Sequence, residues 1–244
     1  MKLQKLTLRH VLRVVYPPQC LTCDTPTVEE HALCPACWSR AGFIGGLVCD
    51  GCGIPLPGEA VGGVLCDDCL TLARPWTQGR AAMLYGDRAR YIVLGLKYGD
   101  RLDYGIACGR WMARAVQPML QPDMLVVPVP LHWRRFAQRR YNQAAILSAA
   151  VARVLGAEHC PDLLVRPRPT GTQDGRGRMG RFDNMQAALI PHKTRGVRAA
   201  GRNILLVDDV MTSGATFAAA TEACIAAGAA SVRVVALARV AHAD

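Results

Sequence analysis

The chain has 244 residues, 51% of them apolar, and a net charge of +10. This composition excludes global disorder and leaves room for one domain of ordinary size plus a small one. No uninterrupted apolar run reaches the roughly 18 residues of a membrane-spanning helix.

The charge is concentrated. Residues 1–75 hold six basic and seven acidic side chains, whereas residues 132–202 hold fourteen basic and four acidic ones. A concentrated positive region attracts polyanions, whether phosphorylated small molecules or nucleic acid. The plainer alternative is an arginine-rich surface, since 25 of the 29 basic residues are Arg.

Residues 1–17 predict a short amphipathic helix, with Lys2, Lys5, Arg9 and Arg13 set among leucines and valines. Those charges interrupt any secretory apolar core and no small-residue cleavage site follows, so a cytoplasmic protein is expected.

Residues 18–75 carry eight of the eleven cysteines in four pairs, each with two residues between. The pairs are Cys20 and Cys23, Cys34 and Cys37, Cys49 and Cys52, Cys66 and Cys69. The segment reads as duplicated: LCPAC at 33–37 answers LCDDC at 65–69. A two-residue gap lets one tight turn aim both sulfurs at a point about 2.3 Å away, and four thiolates in a tetrahedron suit Zn²⁺. Two structural zinc sites are therefore expected, because four thiolates leave no open position for water. The duplication favours sequential pairing of the cysteines, with a cross-braced pairing as the alternative. Disulfides require an oxidising compartment, and a redox motif asks for one such pair at a helix start. An iron–sulfur cluster would use the same ligands. Cys108, Cys160 and Cys224 read as ordinary small apolar residues.

Residues 76–244 change texture. Strands are expected at 80–86, 124–130, 203–209 and 231–240, and helices at 88–100, 103–120, 141–155 and 216–230. Strands alternating with helices predict an α/β domain: an open, mostly parallel sheet with helices on both faces.

Ligands of such sheets bind beyond the carboxyl ends of strands. There the sequence reads VDDVMTSGATF from Val207. Asp208 and Asp209 sit where the strand is expected to run out, and Thr212, Ser213, Gly214, Ala215 and Thr216 lead into a helix. Small residues let backbone N–H groups approach an anion, and the helix start adds partial positive charge. The aspartates can accept hydrogen bonds from vicinal hydroxyls or hold Mg²⁺. Phosphate grip plus diol grip describes a ribose 5-phosphate site; the bland alternative is a turn with a Ser or Thr helix cap. No Lys follows the glycine, so this is not a GxxxxGK[ST] loop.

Four apolar residues, Asp-Asp, then Val-x-Thr-Ser-Gly-Ala-Thr resembles the phosphoribosyl-pyrophosphate (PRPP) loop of type I phosphoribosyltransferases. The whole chain resembles the ComF family, which joins a double zinc ribbon to that fold. LKYGD at 96–100, VPVPLHWRRFAQRRYNQA at 127–144, and RPTGTQ at 168–173 with Arg181 and Asn184 carry the likeness. Arg140, Tyr141 and Arg176 depart from the family pattern of Gly, Phe and Leu.

The resemblance implies that the stretch Asp208, Asp209, Val210, Met211, Thr212, Ser213, Gly214, Ala215 and Thr216 binds PRPP with Mg²⁺. The aspartates would hold the ribose hydroxyls, and Thr212 to Thr216 the 5-phosphate. The turn at Pro130, Leu131 and His132 would approach the pyrophosphate, and the loop 166–186 would cover the site. Arg134, Arg135, Arg139 and Arg140, interleaved with Trp133, Phe136 and Tyr141, suit phosphates of a ligand or of single-stranded DNA, or else a solvated helix face. The family further implies a role in DNA uptake, with the zinc ribbons docking a partner such as the helicase of the uptake machinery. The alternatives are an active phosphoribosyltransferase that transfers ribose 5-phosphate to a nitrogenous base, and a binding module that senses nucleotide state.

Overall fold

Near-continuous apolar runs are costly facing solvent, and here they form the middle of a sheet. The computed structural model describes residues 16–131, 141–167 and 188–241. Among them the helices are α1 Pro35–Ser39, α2 Asp67–Thr71, α3 Asp87–Tyr98, α4 Tyr104–Val116, α5 Gln143–Leu155 and α6 Ala215–Ala226. The strands are β1 Gln78–Leu84, β2 Leu125–Pro128, β3 Glu158–His159, β4 Leu164–Val165, β5 Ile190–Pro191, β6 Asn203–Met211 and β7 Ser231–Arg239. The main sheet runs β1-β7-β6-β2-β3, and every pair in it is parallel. A short antiparallel pair, β4 with β5, lies apart.

Alternate residues of the central strands enter two cores. Val126, Leu205, Val207, Val235 and Leu237 pack with Ile92, Met112 and Leu147 of α3, α4 and α5. Leu125, Val127, Ile204, Leu206 and Val234 pack with Phe217, Ala220 and Ala223 of α6. Each such side chain taken from water stabilises the fold by roughly 1.5–3 kcal/mol. Helices therefore cover both faces. From β2 the chain steps outward through α5 to β3, and from β6 it steps the other way through α6 to β7. Right-handed crossovers in opposite directions put α5 and α6 on opposite faces. They also leave a crevice at the carboxyl ends of β2 and β6, where the strand order reverses.

The cysteine-rich segment is duplicated in structure as in sequence. Isolated bridges pair Gln19 with Pro26 and Val48 with Pro55. Asp24 and Gly53, each four residues past the first cysteine of its half, take φ of +57° and +72°. The first half packs Cys20, Cys34 and Cys37 into the α4 side of the sheet. The second packs Cys49, Cys52 and Cys69 into the α6 side. Between them residues 42–44 run along β1, with Ile44 N–H donating to Ala82 (3.0 Å) and Leu84 N–H to Gly42 (2.8 Å). That strap blunts the exposed sheet edge.

Several boundaries differ from the sequence expectation. β6 does not stop at Asp209: Val210 pairs with Ala238 and Met211 with Arg239, because β7 is equally long and offers a partner that far. α4 ends at Val116, and a 3-10 turn over Gln117–Met119 follows it, where Pro118 has no N–H to continue an α-helix. α5 begins at Gln143 rather than Tyr141, because Asn142 caps it by accepting from Ala144 N–H at 3.1 Å. α6 begins at Ala215 and ends at Ala226, two residues before Gly228. Cys108, Cys160 and Cys224 are fully buried. The amphipathic segment expected before Tyr16 lies outside the described residues.

Candidate anion loop and metal centres

The loop after β6 occupies the mouth of the reversal crevice. Its neighbour is the turn after β2, where Val129 N–H donates to Val207 (2.9 Å) and the Val129 carbonyl accepts from Asn142 Nδ2 (3.1 Å). Pro130 is buried and Leu131 half-buried in that turn. His132 and the arginines from Arg134 to Arg140 lie outside the described residues, as does residue 168 onward in the expected covering loop.

Asp208 and Asp209 remain inside the β-ladder, two residues before its end. Asp209 is 8% exposed, and its N–H donates to Asp208 Oδ1 at 2.8 Å. Lys97 Nζ, from the last turn of α3, stands 3.1 Å from Asp209 Oδ1. Burial first, then the neighbouring Asp209 carboxylate, pushes the Asp208 carboxyl up to about 7; the Asp209 N–H, Lys97 and Arg166 oppose that rise. The pair is thus a crowded acidic site with Lys97 in direct contact and Arg166 acting on it as a second cation.

The turn that follows is bound from behind by two arginines. Arg239, at the end of β7, is fully buried; its Nη1 donates to the carbonyls of Thr212 (2.7 Å) and Met211 (3.3 Å). Arg74, from the cysteine-rich segment, donates through Nη1 to the Ser213 carbonyl at 2.7 Å. In a trans peptide the carbonyl and the next N–H point in opposite directions. Fixing the carbonyls of Thr212 and Ser213 therefore fixes the N–H groups of Ser213 and Gly214, aimed away from the arginines. Gly214 takes φ +85°, and its N–H precedes the first turn of α6, whose own N–H groups have no partner within the helix. Ala215 N–H donates to Ser213 Oγ at 3.4 Å, so the serine also caps the helix as the alternative reading of the turn expects; the remaining amides of the turn are preset donors beside two carboxylates, a donor set that suits a phosphorylated sugar.

Sequence reasoning singled out Asp208 to Thr216 as a candidate loop but did not mark Arg74, Lys97 or Arg239 as its neighbours. Lys97 belongs to the LKYGD segment, so a family pattern marked it without giving it a role. The two arginines carry no local signal.

The eight ribbon cysteines converge in two groups, Cys20, Cys23, Cys34 and Cys37, and Cys49, Cys52, Cys66 and Cys69, with the sulfurs of each within 4.8 Å of one another. The grouping is sequential. In each group a backbone amide donates to the first sulfur: Cys34 N–H to Cys20 Sγ at 3.3 Å and Cys66 N–H to Cys49 Sγ at 3.2 Å. Burial opposes ionisation of Cys20, but hydrogen bonds from the Cys34 and Thr22 backbone and the Thr22 hydroxyl outweigh it and lower the thiol to about 6. Four sulfurs with amide support fit structural Zn²⁺, whose ligands must be thiolates. Both third cysteines cap one-turn helices, α1 and α2.

The chain is similar to known proteins over most of its length. A family model described as a double zinc ribbon domain matches residues 11–70. The chain is 30% identical over 230 residues to the DNA utilization protein YhgH of Salmonella typhimurium (strain LT2), covering 91% of this chain and 97% of that one. It is 26% identical over 216 residues to the competence protein ComFC of Bacillus subtilis (strain 168), covering 81% and 84%. Among solved structures, the glutamine PRPP amidotransferase of B. subtilis aligns with a TM-score of 0.39 at 18% identity, over 59% of this chain and 30% of that one.

Proposed function

We propose, from the premise that this chain belongs to the ComF family, that it binds a phosphorylated ribose such as PRPP with Mg²⁺ and serves the handling of incoming DNA. The observation that carries the reading is the sequence of groups at the end of β6. Two carboxylates lead without a break into a turn whose amides are preset by Arg74 and Arg239. The aspartates accept from the sugar's vicinal hydroxyls. The amides of Ser213 to Thr216 bind the 5-phosphate. Asp208 and Asp209 would hold Mg²⁺, which would supply charge neutralisation for a pyrophosphate, and the turn at Pro130 and Leu131 is the neighbouring backbone that would approach it. The cysteines Cys20, Cys23, Cys34 and Cys37, and Cys49, Cys52, Cys66 and Cys69, hold two zinc ions, and residues 18–75 form a unit packed on the sheet domain of residues 76–244.

Calorimetry with PRPP and Mg²⁺ tests this. Wild-type protein binds, and the Asp208→Ala, Asp209→Ala double variant loses at least about tenfold in affinity, or about 1.4 kcal/mol. Equal affinities would remove the site assignment.

A second surface favours single-stranded DNA as the macromolecular partner. A groove of about 410 Å³ between the 43–48 loop, β1 and α4 is lined by Trp38, Phe43, Trp111, Arg80 and Arg114; Arg80 is paired with Asp50 at 2.5 Å, which leaves Arg114 as the cation facing it among the described lining residues. Trp38 and Phe43 lie 4.2 Å apart between ring centres, and Phe43 meets Trp111 edge-on at 5.1 Å. Trp38 is 47% exposed. Aromatic faces beside the Arg114 guanidinium suit unpaired bases and a phosphate. Turnover as a phosphoribosyltransferase is tested separately, by pyrophosphate release from PRPP across a panel of bases.

A further inference from the structure

Arg74 lies five residues past Cys69, where the second ribbon enters β1. Its guanidinium touches both halves of the protein. Nε donates to Cys69 Sγ at 3.4 Å, and Nη1 donates to the Ser213 carbonyl at 2.7 Å. The same guanidinium stands 5.5 Å from the centre of the Trp76 ring. Trp76 is buried and tied to the same metal loop: its Nε1 donates to the carbonyl of Gly51, between Cys49 and Cys52, at 2.6 Å. Its ring also meets Phe217 of α6 at 6.2 Å. The seat is closely fitted, since a Cβ at Gly214 would lie 3.0 Å from both Arg74 Nη1 and the Trp76 ring.

The first ribbon is attached differently. The residue five past Cys37 is Gly42, so the duplication supplies no counterpart to Arg74 there. Its polar links to the sheet domain include Tyr104 Oη donating to the Leu21 carbonyl at 2.6 Å and Arg40 Nη2 donating to Asp87 Oδ2 at 2.7 Å, and none of these partners belongs to the anion loop.

We infer that Arg74 makes the second metal centre a support of the anion loop, so that zinc held by Cys49, Cys52, Cys66 and Cys69, and not zinc held by the first cluster, sets the loop's conformation. The reason is electrostatic and geometric. Four thiolates around Zn²⁺ leave net negative charge, which holds a guanidinium by a charge-assisted hydrogen bond. Without metal nothing holds the four sulfurs at one point, and Arg74 loses a fixed position for its Cys69 anchor. The Ser213 carbonyl then loses its donor, and the Gly214 N–H on the same peptide is no longer aimed. Coupling of two binding events is reciprocal, so an anion in the loop must raise the affinity of the second cluster for zinc.

The ligand side of this inference rests on the sugar-phosphate reading above; the mechanical link does not, and two readouts keep them apart. Amide hydrogen exchange of the full-length, two-zinc protein reads the loop itself. Exchange over residues 212–217 is expected to quicken at least about tenfold in Arg74→Met, with peptides of the first ribbon unchanged. Cys66→Ser, which cuts the link from the metal side, is expected to do the same, whereas Cys23→Ser in the first cluster is not. Unchanged exchange in Arg74→Met and Cys66→Ser overturns the coupling, as does equal quickening by Cys66→Ser and Cys23→Ser. The second readout is an equilibrium titration of bound zinc against a competing chelator, with and without ribose 5-phosphate. One of the two zinc sites is expected to hold its metal more tightly with the sugar phosphate in wild type and not in Arg74→Met. If ribose 5-phosphate does not bind wild type, the ligand reading fails while the exchange data still decide the link. If it binds but tightens neither site, the coupling falls and the ligand reading stands.

Discussion

Lys97 and Asp209 join the last turn of α3 to the end of β6 through a 3.1 Å contact whose side chains are 21% and 11% exposed. Removing one member of a largely buried pair costs more than the pair contributes, because the other charge is left uncompensated. Lys97 also opposes the rise of the Asp208 carboxyl. Lys97→Met is therefore expected to lower unfolding free energy at pH 7.5 by about 2 kcal/mol. Urea titrations measure this; Met keeps the length of the side chain, so wild-type stability in Lys97→Met would show that Lys97 acts through packing and not through charge.

Asp208 gives the stability curve a slope opposite to that of a salt-bridged carboxylate. Its carboxyl sits at about 7 in the folded protein, through burial and the Asp209 charge, with the Asp209 N–H, Lys97 and Arg166 opposing. In the unfolded chain the same group ionises near 4. Between those values the folded state holds a proton that the unfolded state has released, so stability falls as pH rises from about 4 to 7 and levels off above. Asp208→Asn should flatten that descent, by an amount on the order of a few kcal/mol across the window. Urea midpoints for both proteins at half-unit pH intervals check it; parallel curves would remove Asp208 as the source.

The metal clusters and the acidic turn were legible because their chemistry is local. Cysteine pairs two residues apart must converge, and Asp-Asp followed by Thr-Ser-Gly-Ala-Thr needs only its own strand and helix. The alternation of apolar runs and helical stretches likewise gave the layered α/β domain. The supports of the site were not legible. Arg74 meets Ser213 across 139 residues of sequence, and Lys97 meets Asp209 only because α3 ends over β6. A lone cation reads as surface unless the strand order is known. Arg239 illustrates this most sharply: at the end of an apolar strand it looks like a boundary, yet it is fully buried because three backbone carbonyls, those of Met211, Thr212 and Val240, accept its hydrogen bonds. The same cause explains β6, which outruns its aspartates only because β7 does.

Two glycines with positive φ separate backbone strain from site geometry. Gly156 closes α5 at φ +64° with nothing within 4 Å of an added Cβ, while Gly214 has φ +85° and meets Arg74 and Trp76 at 3.0 Å. Gly156→Ala should cost only the left-handed backbone penalty, roughly 1–2 kcal/mol. Gly214→Ala carries that penalty and also pushes the guanidinium from the Ser213 carbonyl. It is expected to abolish measurable PRPP binding while Gly156→Ala leaves affinity unchanged at matched stability. Calorimetry after urea titration makes the comparison, and equal losses in both variants would mean that the loop's shape is not what binds.

The aromatic groove makes a prediction independent of the sugar site. Its cations and ring faces contribute through different physics, so they respond differently to salt. Phosphate contacts release counterions, and affinity then falls with rising salt in proportion to the contacts made. Base stacking is worth about 1–3 kcal/mol per base and carries little salt dependence of its own. Trp38 and Arg114 are both exposed, so neither substitution opens the core. Trp38→Ala should weaken binding of a single-stranded oligonucleotide by roughly five- to a hundredfold at every salt concentration. Arg114→Gln should weaken it mainly at low salt and reduce the salt slope by about one contact, near 0.7 for a single strand. Fluorescence anisotropy from 50 to 300 mM salt, with the Asp208→Ala, Asp209→Ala protein as control, resolves the two effects. Wild-type affinity for both groove variants would place the DNA surface elsewhere on the chain.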